Sequence, residues 1–259
     1  MTTKTTRLRP FLHRLTSTPQ PQPHNQTRTF FPNPFAALSS STTPPTPQIL
    51  TATRTLPYAP GPIYAIISDV ASYSSFLPYC QSSTVTKWSA PDATYNRRWP
   101  SEGKLVVGYG NLTESFTSRV YCIPGKIVES VGGGTETSLD ERDIGHHLQE
   151  RVEGGRSDAN GLLTHLRSRW SVVGEDAARL SPPPLGGENG NAGRTRVTLE
   201  LEFAFANPMY AALSGGVAST VAEIMVKAFE GRVEEVMRRD PGLARARLGD
   251  IVGEKGGMR

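Results

Sequence analysis

The fold is decided by residues 194–239, which read RTRVTLELEFAFANPMYAALSGGVASTVAEIMVKAFEGRVEEVMRR. Apolar and polar side chains alternate between residues 196 and 206, and this period of two predicts a strand with one buried face. Asn207 and Pro208 then favour the start of a helix, as cap and first helical residue. Apolar side chains follow at helical spacing and form one stripe: Tyr210, Leu213, Val217, Val221, Ile224, Met225 and Ala228. The sequence therefore predicts one long strand that leads into one long helix.

A helix of this length buries its apolar stripe only against a broad partner, and the rest of the chain predicts a sheet. Strands are predicted at residues 49–57, 81–89, 104–111, 114–122, 126–131 and 162–173. A short helix is predicted over residues 63–69, and residues 91–103 are predicted to be a polar connection. The close spacing of the middle strands indicates an antiparallel meander. The expected architecture is α+β, with a curved antiparallel sheet around the long C-terminal helix.

The ends of the chain differ from its middle in composition. No acidic residue precedes Asp69, whereas five basic residues lie within the first thirty: Lys4, Arg7, Arg9, Arg14 and Arg28. With apolar residues on one helical face, this composition predicts a mitochondrial transit peptide at residues 1–30, a disordered tail being the alternative. Residues 31–48 are predicted to be a disordered linker, residues 132–161 and 174–193 Gly-rich insertions, and residues 240–259 a disordered tail.

The charge and the cysteines exclude some classes of protein. Without the five N-terminal basic residues the formal net charge of +4 becomes −1, which argues against a nucleic-acid-binding domain. Cys80 and Cys122 could form one disulfide, but nothing indicates a disulfide framework, so two reduced thiols are expected. No run of eighteen apolar residues occurs, so any membrane contact is expected to be peripheral.

Several separated blocks occur in an order that carries a family resemblance. They are LPY at 56–58, IYAIISDVASY at 63–73, FLPYC at 76–80, LVVGYG at 105–110, ESFTSRV at 114–120, LRSRW at 166–170 and FAFANPMYAAL at 203–213. Together they resemble the mitochondrial coenzyme Q-binding proteins of the START and polyketide cyclase superfamily. The resemblance implies a helix-grip, START-like domain over residues 49–239, with a hydrophobic tunnel.

The resemblance also implies a function. The expected ligand is ubiquinone (coenzyme Q), with no other cofactor, and the expected location is the matrix side of the mitochondrial inner membrane. A supporting part in respiration and in ubiquinone biosynthesis is implied, without chemistry of its own. Contact with ubiquinone biosynthetic enzymes is a further expectation.

The residues predicted to bind the ligand are mostly apolar and lie on the inward faces of the predicted elements. They are Tyr64, Leu77, Tyr79, Val107, Tyr109, Phe116, Val120, Trp170, Phe203, Phe205, Leu213, Val217 and Val221. Ordinary core packing is the alternative for each apolar residue. The three tyrosines, together with Arg119, are the candidates for contact with the quinone head. Glu114, Arg119 and Lys126 are predicted at a tunnel mouth or a partner contact, solvated strand ends being the alternative.

No catalytic residue and no metal site is predicted. The adjacent His146 and His147 lack a suitably spaced third ligand, and His165 has no evident triad partner in sequence. The run of three glycines from Gly132 is not followed by the Lys-Ser or Lys-Thr of a phosphate loop. Two other functions remain open: a cyclase or hydratase acting on a quinone or polyketide precursor, and a protein-binding module of the ubiquinone biosynthetic complex.

Overall fold

A computed structural model of the chain describes residues 46–109, 112–149, 163–175, 193–206 and 218–254, all within one compact unit spanning Thr43–Arg259. The predicted transit peptide, nearly all of the predicted linker, Leu213 and Val217 lie outside these residues, as does the side chain of Tyr109. No helix in the described ranges is both long enough and apolar enough to cross a membrane.

Seven antiparallel strands form one curved sheet in the order β1-β7-β6-β5-β4-β3-β2. The strands are β1 Gln48–Leu56, β2 Cys80–Trp88, β3 Pro100–Tyr109, β4 Leu112–Ile123, β5 Ile127–Gly133, β6 Leu163–Glu175 and β7 Arg194–Phe205. Strands β2 to β6 follow one another as neighbours, and β1 returns to pair with β7. The predicted antiparallel meander is therefore confirmed, with β1 and β2 at the two edges.

The helices are α1 Pro60–Ser68, α2 Gly145–Leu148, α3 Ala218–Arg239 and α4 Leu248–Glu254, with 3₁₀ helices at Val70–Ser75 and Pro241–Arg245. Helices α1 and α3 pack on the same face of the sheet, here called the inner face. On this face, strand pairing places Cys122, Val128, Trp170 and Leu199 side by side on four successive strands. Phe229 of α3 lies over Trp170, with 5.0 Å between the ring centroids. An α+β helix-grip fold is confirmed.

The buried stripe of α3 is rotated from the predicted one. Its fully buried residues are Ala222, Val226, Phe229, Val233 and Met237. Ile224, predicted to face inward, is 36% exposed, while Val221, Met225 and Ala228 are half-buried. The prediction chose the buried side of the helix from apolar residues before position 218. In the structure, the buried side is the one that carries Val226 and Phe229, whose large side chains reach the sheet.

The prediction that residues 240–259 are a disordered tail is wrong as far as residue 254. Leu248 and Val252, one turn apart on α4, are buried in the same core as α1. The chain passes so close to α1 that a Cβ atom at Gly61 would lie 2.6 Å from the Leu248 backbone nitrogen. Apolar residues four positions apart are enough to dock this short helix, although its surroundings are rich in glycine and charge.

The connection predicted at residues 91–103 is also more ordered than its polarity suggested. Residues 100–103 belong to β3, and Trp99 is 1% exposed. The buried Asp92 carboxylate accepts the Trp99 indole hydrogen bond at 2.9 Å and three backbone hydrogen bonds from residues 94, 95 and 97. Burial raises the pKa of Asp92, but these hydrogen bonds outweigh burial and lower it overall. One carboxylate therefore holds the whole turn.

Residues 134–149, which belong to the first predicted insertion, cover the part of the outer face formed by β4 to β6. The Glu129 side chain is fully buried there, where it accepts hydrogen bonds from Arg169 Nε at 2.7 Å and Thr137 Oγ at 2.5 Å. His147 Nε2 accepts a hydrogen bond from the Cys122 backbone at 2.8 Å. Burial, with the neighbouring His146, lowers the pKa of His147 to about 3. His147 is therefore a neutral structural residue.

Candidate functional site

The inner face is divided into two halves, and the half next to α1 is filled by side chains. Tyr64 and Trp99 pack edge to face with 5.5 Å between ring centroids, and both are essentially unexposed. The Tyr64 hydroxyl donates to the Ile127 carbonyl at 3.4 Å, and burial, with Cys122 nearby, raises its pKa well above the ordinary value. Trp170 and Phe229 complete this half, which leaves it as conventional core.

The half away from α1 carries apolar side chains that remain partly exposed. We call these residues the half-buried patch: Leu105, Val107, Phe116, Leu166, Leu201 and Phe205. Leu105 pairs with Phe116 across β3 and β4, and Phe205 packs edge to face on the 9% exposed Phe203, with 5.5 Å between centroids. The apolar inner face thus continues beyond the packed core, where a ligand could complete the burial.

The predicted ligand-binding residues are distributed between the two halves. Val107, Phe116, Phe203 and Phe205 lie in or beside the half-buried patch. Val120 is 1% exposed at its boundary, next to the packed half that holds Tyr64 and Trp170. Whether any of them contacts a ligand stays a prediction.

Three further candidates lie away from this patch or at its margin. Leu77 is buried just after the first 3₁₀ helix. Tyr79 is 47% exposed with a positive φ of 65°, a conformation that large side chains rarely adopt. Val221 is half-buried on α3. None of these positions adds to the continuous apolar surface formed by the strands.

The three charged candidates do not lie together. Glu114 lies opposite Val107 on the inner face and is half-buried beside the patch. Arg119 lies on the outer face, where its guanidinium donates to the Thr135 carbonyl at 2.8 Å and pairs with Glu136. Its prediction at a tunnel mouth or quinone head is therefore wrong, because neighbours in a strand point to opposite faces and Val120 points inward. Lys126 is exposed in the turn between β4 and β5.

A separate groove of about 170 Å³ lies between α1, the first 3₁₀ helix and α4, and Val70, Trp88, Arg97, Trp99 and Ile251 are among its lining residues. Sites for drug-sized ligands usually measure roughly 300–1,000 Å³. The groove is smaller than that, and none of the predicted ligand-binding residues lines it. It is therefore not the expected tunnel.

The described parts of the chain contain no group of three potential metal ligands. One spatial constellation has no signal in the sequence: His165 contacts Thr135 Oγ at 3.0 Å and Glu202 at 3.2 Å. Its order resembles a catalytic triad, but Thr135 is only 4% exposed and its hydroxyl also accepts the Leu166 amide at 3.1 Å. These contacts tie the turn after β5 to β6 and leave no open nucleophile. Cys80 and Cys122 are both free thiols, as expected.

Comparison with known families places this architecture in a defined class. Residues 56–230 match the family model described as polyketide cyclase / dehydrase and lipid transport. The chain belongs to this family.

The names of similar proteins are more specific than the family description. The chain is 30% identical to the mitochondrial coenzyme Q-binding protein coq10 of Schizosaccharomyces pombe, over 69% of this chain and 82% of that protein. It is 28% identical to the protein of the same name from Eremothecium gossypii, over 69% and 71%. The ribosome association toxin RatA of Pseudomonas aeruginosa is 25% identical, over 70% and 92%. Among solved structures, an aromatase/cyclase from Streptomyces sp. R1128 is 15% identical with a TM-score of 0.46, covering 76% of this chain and 98% of that one.

Proposed function

We propose that the chain is a lipid-binding protein that holds ubiquinone against the half-buried patch of the inner face. The observation that carries the proposal is the continuation of this apolar surface beyond the packed core, in strands where Phe116, Leu166 and Phe205 remain partly exposed. Relatives named coenzyme Q-binding proteins support this choice of ligand.

The chemistry of the patch suits an isoprenoid tail. Burial of apolar surface is favourable by roughly 25 cal/mol per Å², so a prenyl chain needs neither a metal ion nor a covalent bond. Among the acidic residues in the described parts of β3 to β7, Glu114 alone belongs to the inner face of the sheet, as the strand pairing shows. A surface so poor in charge favours a neutral, largely apolar ligand over a phospholipid headgroup.

The proposed place of action is the matrix side of the mitochondrial inner membrane, with peripheral attachment. Mitochondrial names among the relatives and the acid-free, basic N-terminus support the organelle. Ubiquinone resides in the bilayer, so a protein that receives it must touch the membrane. In this role the chain would support respiration and ubiquinone biosynthesis, in contact with biosynthetic enzymes.

The test is to purify the full-length protein, extract it with organic solvent and identify the lipid by mass spectrometry, followed by uptake of ubiquinone from vesicles. We expect co-purified ubiquinone, lost in Phe116→Glu but retained in the control Val173→Glu, whose side chain is 55% exposed on the outer face. Absence of quinone from the wild-type extract and no uptake from vesicles would contradict the proposal.

A cyclase or dehydrase function is the second candidate, because Glu114 lies beside the patch and the family description includes both activities. A carrier and an enzyme predict different behaviour for Glu114→Gln. The carrier retains unchanged ubiquinone, whereas an enzyme deprived of its acid–base group accumulates a bound precursor. Mass spectrometry of the same extracts distinguishes the two outcomes.

A further inference from the structure

Three serine side chains lie together on the inner face, between the packed half and the half-buried patch. Ser130 of β5 is directly opposite Ser168 of β6 in the strand pairing. Ser118 of β4 lies in the next row of side chains across the sheet, beside Gly132 of β5. A Cβ atom added at Gly132 would be 3.2 Å from the Ser118 hydroxyl oxygen. Directly opposed residues in a sheet have Cβ atoms about 5 Å apart, and diagonal neighbours remain within about 8 Å. The Ser130 and Ser168 side chains are therefore direct neighbours, and Ser118 lies diagonally within reach of Ser130.

These three hydroxyls share a lack of hydrogen-bond partners within the described residues. No hydrogen bond within the described ranges uses Oγ of Ser118, Ser130 or Ser168, although Ser118 is only 7% exposed and the others are half-buried. Five other serines at buried or half-buried positions hydrogen-bond through their hydroxyls, namely Ser68, Ser72, Ser83, Ser89 and Ser101, whereas Ser171 on the outer face has no such bond among the described residues. Among the described residues, the fully buried side-chain atoms that lack a partner do not include these three oxygens, so each hydroxyl keeps some exposure and can donate a hydrogen bond to a bound ligand.

The surroundings define the class of that ligand. On β4 to β7, the residues beside the serines across the sheet are apolar apart from Gly132, namely Val120, Leu201, Leu166 and Phe203. The polar Gln48 follows Phe203 on the edge strand β1. Because side chains alternate between the two faces along a strand, the arginines of β4 and β6 point to the outer face. The serines are therefore neutral hydrogen-bond donors with no positively charged side chain from these strands beside them. Such a set suits carbonyl and ether oxygens on a neutral ring, whereas a phosphate or carboxylate would be left without charge compensation.

We propose that Ser118, Ser130 and Ser168 form the recognition site for the oxygenated quinone ring. The isoprenoid tail then runs from this serine group over the half-buried patch. The inference rests on the proposed function and makes it specific, because it places the head in the middle of the inner face instead of at the tyrosines Tyr64 and Tyr79. It predicts that the protein distinguishes a prenylquinone from a polyprenol of the same length.

The experiment measures dissociation constants of the full-length protein for a short-chain ubiquinone and for a polyprenol with the same number of isoprene units. A neutral hydrogen bond contributes about 1 kcal/mol, which corresponds to roughly fivefold in affinity. We expect the triple variant Ser118→Ala, Ser130→Ala, Ser168→Ala to bind the quinone roughly 10- to 100-fold more weakly, with the polyprenol affinity within about twofold. The control is Ser171→Ala, half-buried on the outer face of β6, which should change neither affinity.

The possible failures are distinguishable. If wild-type protein binds neither lipid, the proposed function itself fails. If wild-type protein binds the quinone and the folded triple variant binds it equally well, lipid binding stands and the serine group is not the head site. A second measurement uses Ser118→Ala alone without lipid: loss of an unpaired hydroxyl should leave the thermal midpoint unchanged or raised. A lowered midpoint would show that this hydroxyl already has an internal partner and would overturn the proposal.

Discussion

Two matched substitutions test the division of the inner face into a packed half and a half-buried patch. Phe229 is 2% exposed and stacks on Trp170, so Phe229→Ala should cost about 3–5 kcal/mol of unfolding free energy through lost transfer energy and the cavity left behind. Phe116 is half-buried, so Phe116→Ala should cost about 1 kcal/mol. Against a typical domain stability of about 5–15 kcal/mol, this difference is readily measured.

The assay is urea unfolding of the lipid-free protein followed by circular dichroism, because tryptophan fluorescence would itself respond to the loss of Phe229. Ubiquinone retention should show the reverse order, with the larger loss in Phe116→Ala. The reasoning is refuted if Phe116→Ala costs as much stability as Phe229→Ala. In that case the packed core would extend across the whole inner face and leave no surface for a ligand.

Three other predictions concern the outer face and the thiols. Glu129→Gln should lower the unfolding free energy in urea by about 3 kcal/mol, because it leaves the arginines around a fully buried carboxylate uncompensated. His147 has a folded-state pKa of about 3, below its ordinary value of about 6.5, so the unfolded state binds the proton more readily. Its contribution to stability is therefore complete above about pH 6.5 and is lost as the pH falls towards 3, which thermal melts at stepped pH can follow. A maleimide should modify Cys80 in the native protein and Cys122 only after unfolding, because Cys122 is fully buried and burial raises its pKa to about 12.

Each of these predictions has a control and a contrary outcome. Glu200→Gln, at an exposed position of β7, should be nearly neutral, and equal costs for the two glutamates would contradict the buried-charge argument. His147→Phe should flatten the stability profile between pH 6.5 and 3. An unchanged profile would assign the pH dependence to other groups. Equal labelling rates for the two thiols would show that β4 opens readily.

The strands were predictable because alternation of side chains is a local signal. The pattern at residues 196–206 is confirmed in β7 to within two residues at its start and one at its end. The same rule predicts that Arg119 points to the outer face, because its neighbour Val120 is apolar and faces inward. The wrong prediction for Arg119 came from assigning a role to a charged residue before assigning its face.

Features that depend on distant parts of the chain were not predictable in this way. The phase of α3 is set by which side chains reach the sheet, and both the predicted and the observed stripes have helical spacing. Helix α4 forms because Leu248 and Val252 find a site beside α1, which composition cannot show. The serine group arises from register across three strands, and no spacing within one strand contains that information.

The pairing of β1 with β7 has a consequence for chain synthesis. Thr53 and Thr198 bond across this ladder through their hydroxyls although 145 positions separate them in the chain. At ribosomal rates of about 5–20 residues per second, the first strand waits roughly 7–30 s for its only ladder partner among the described strands. Throughout that interval the sheet of the nascent chain lacks its β1–β7 ladder, which closes only after β7 has been synthesised.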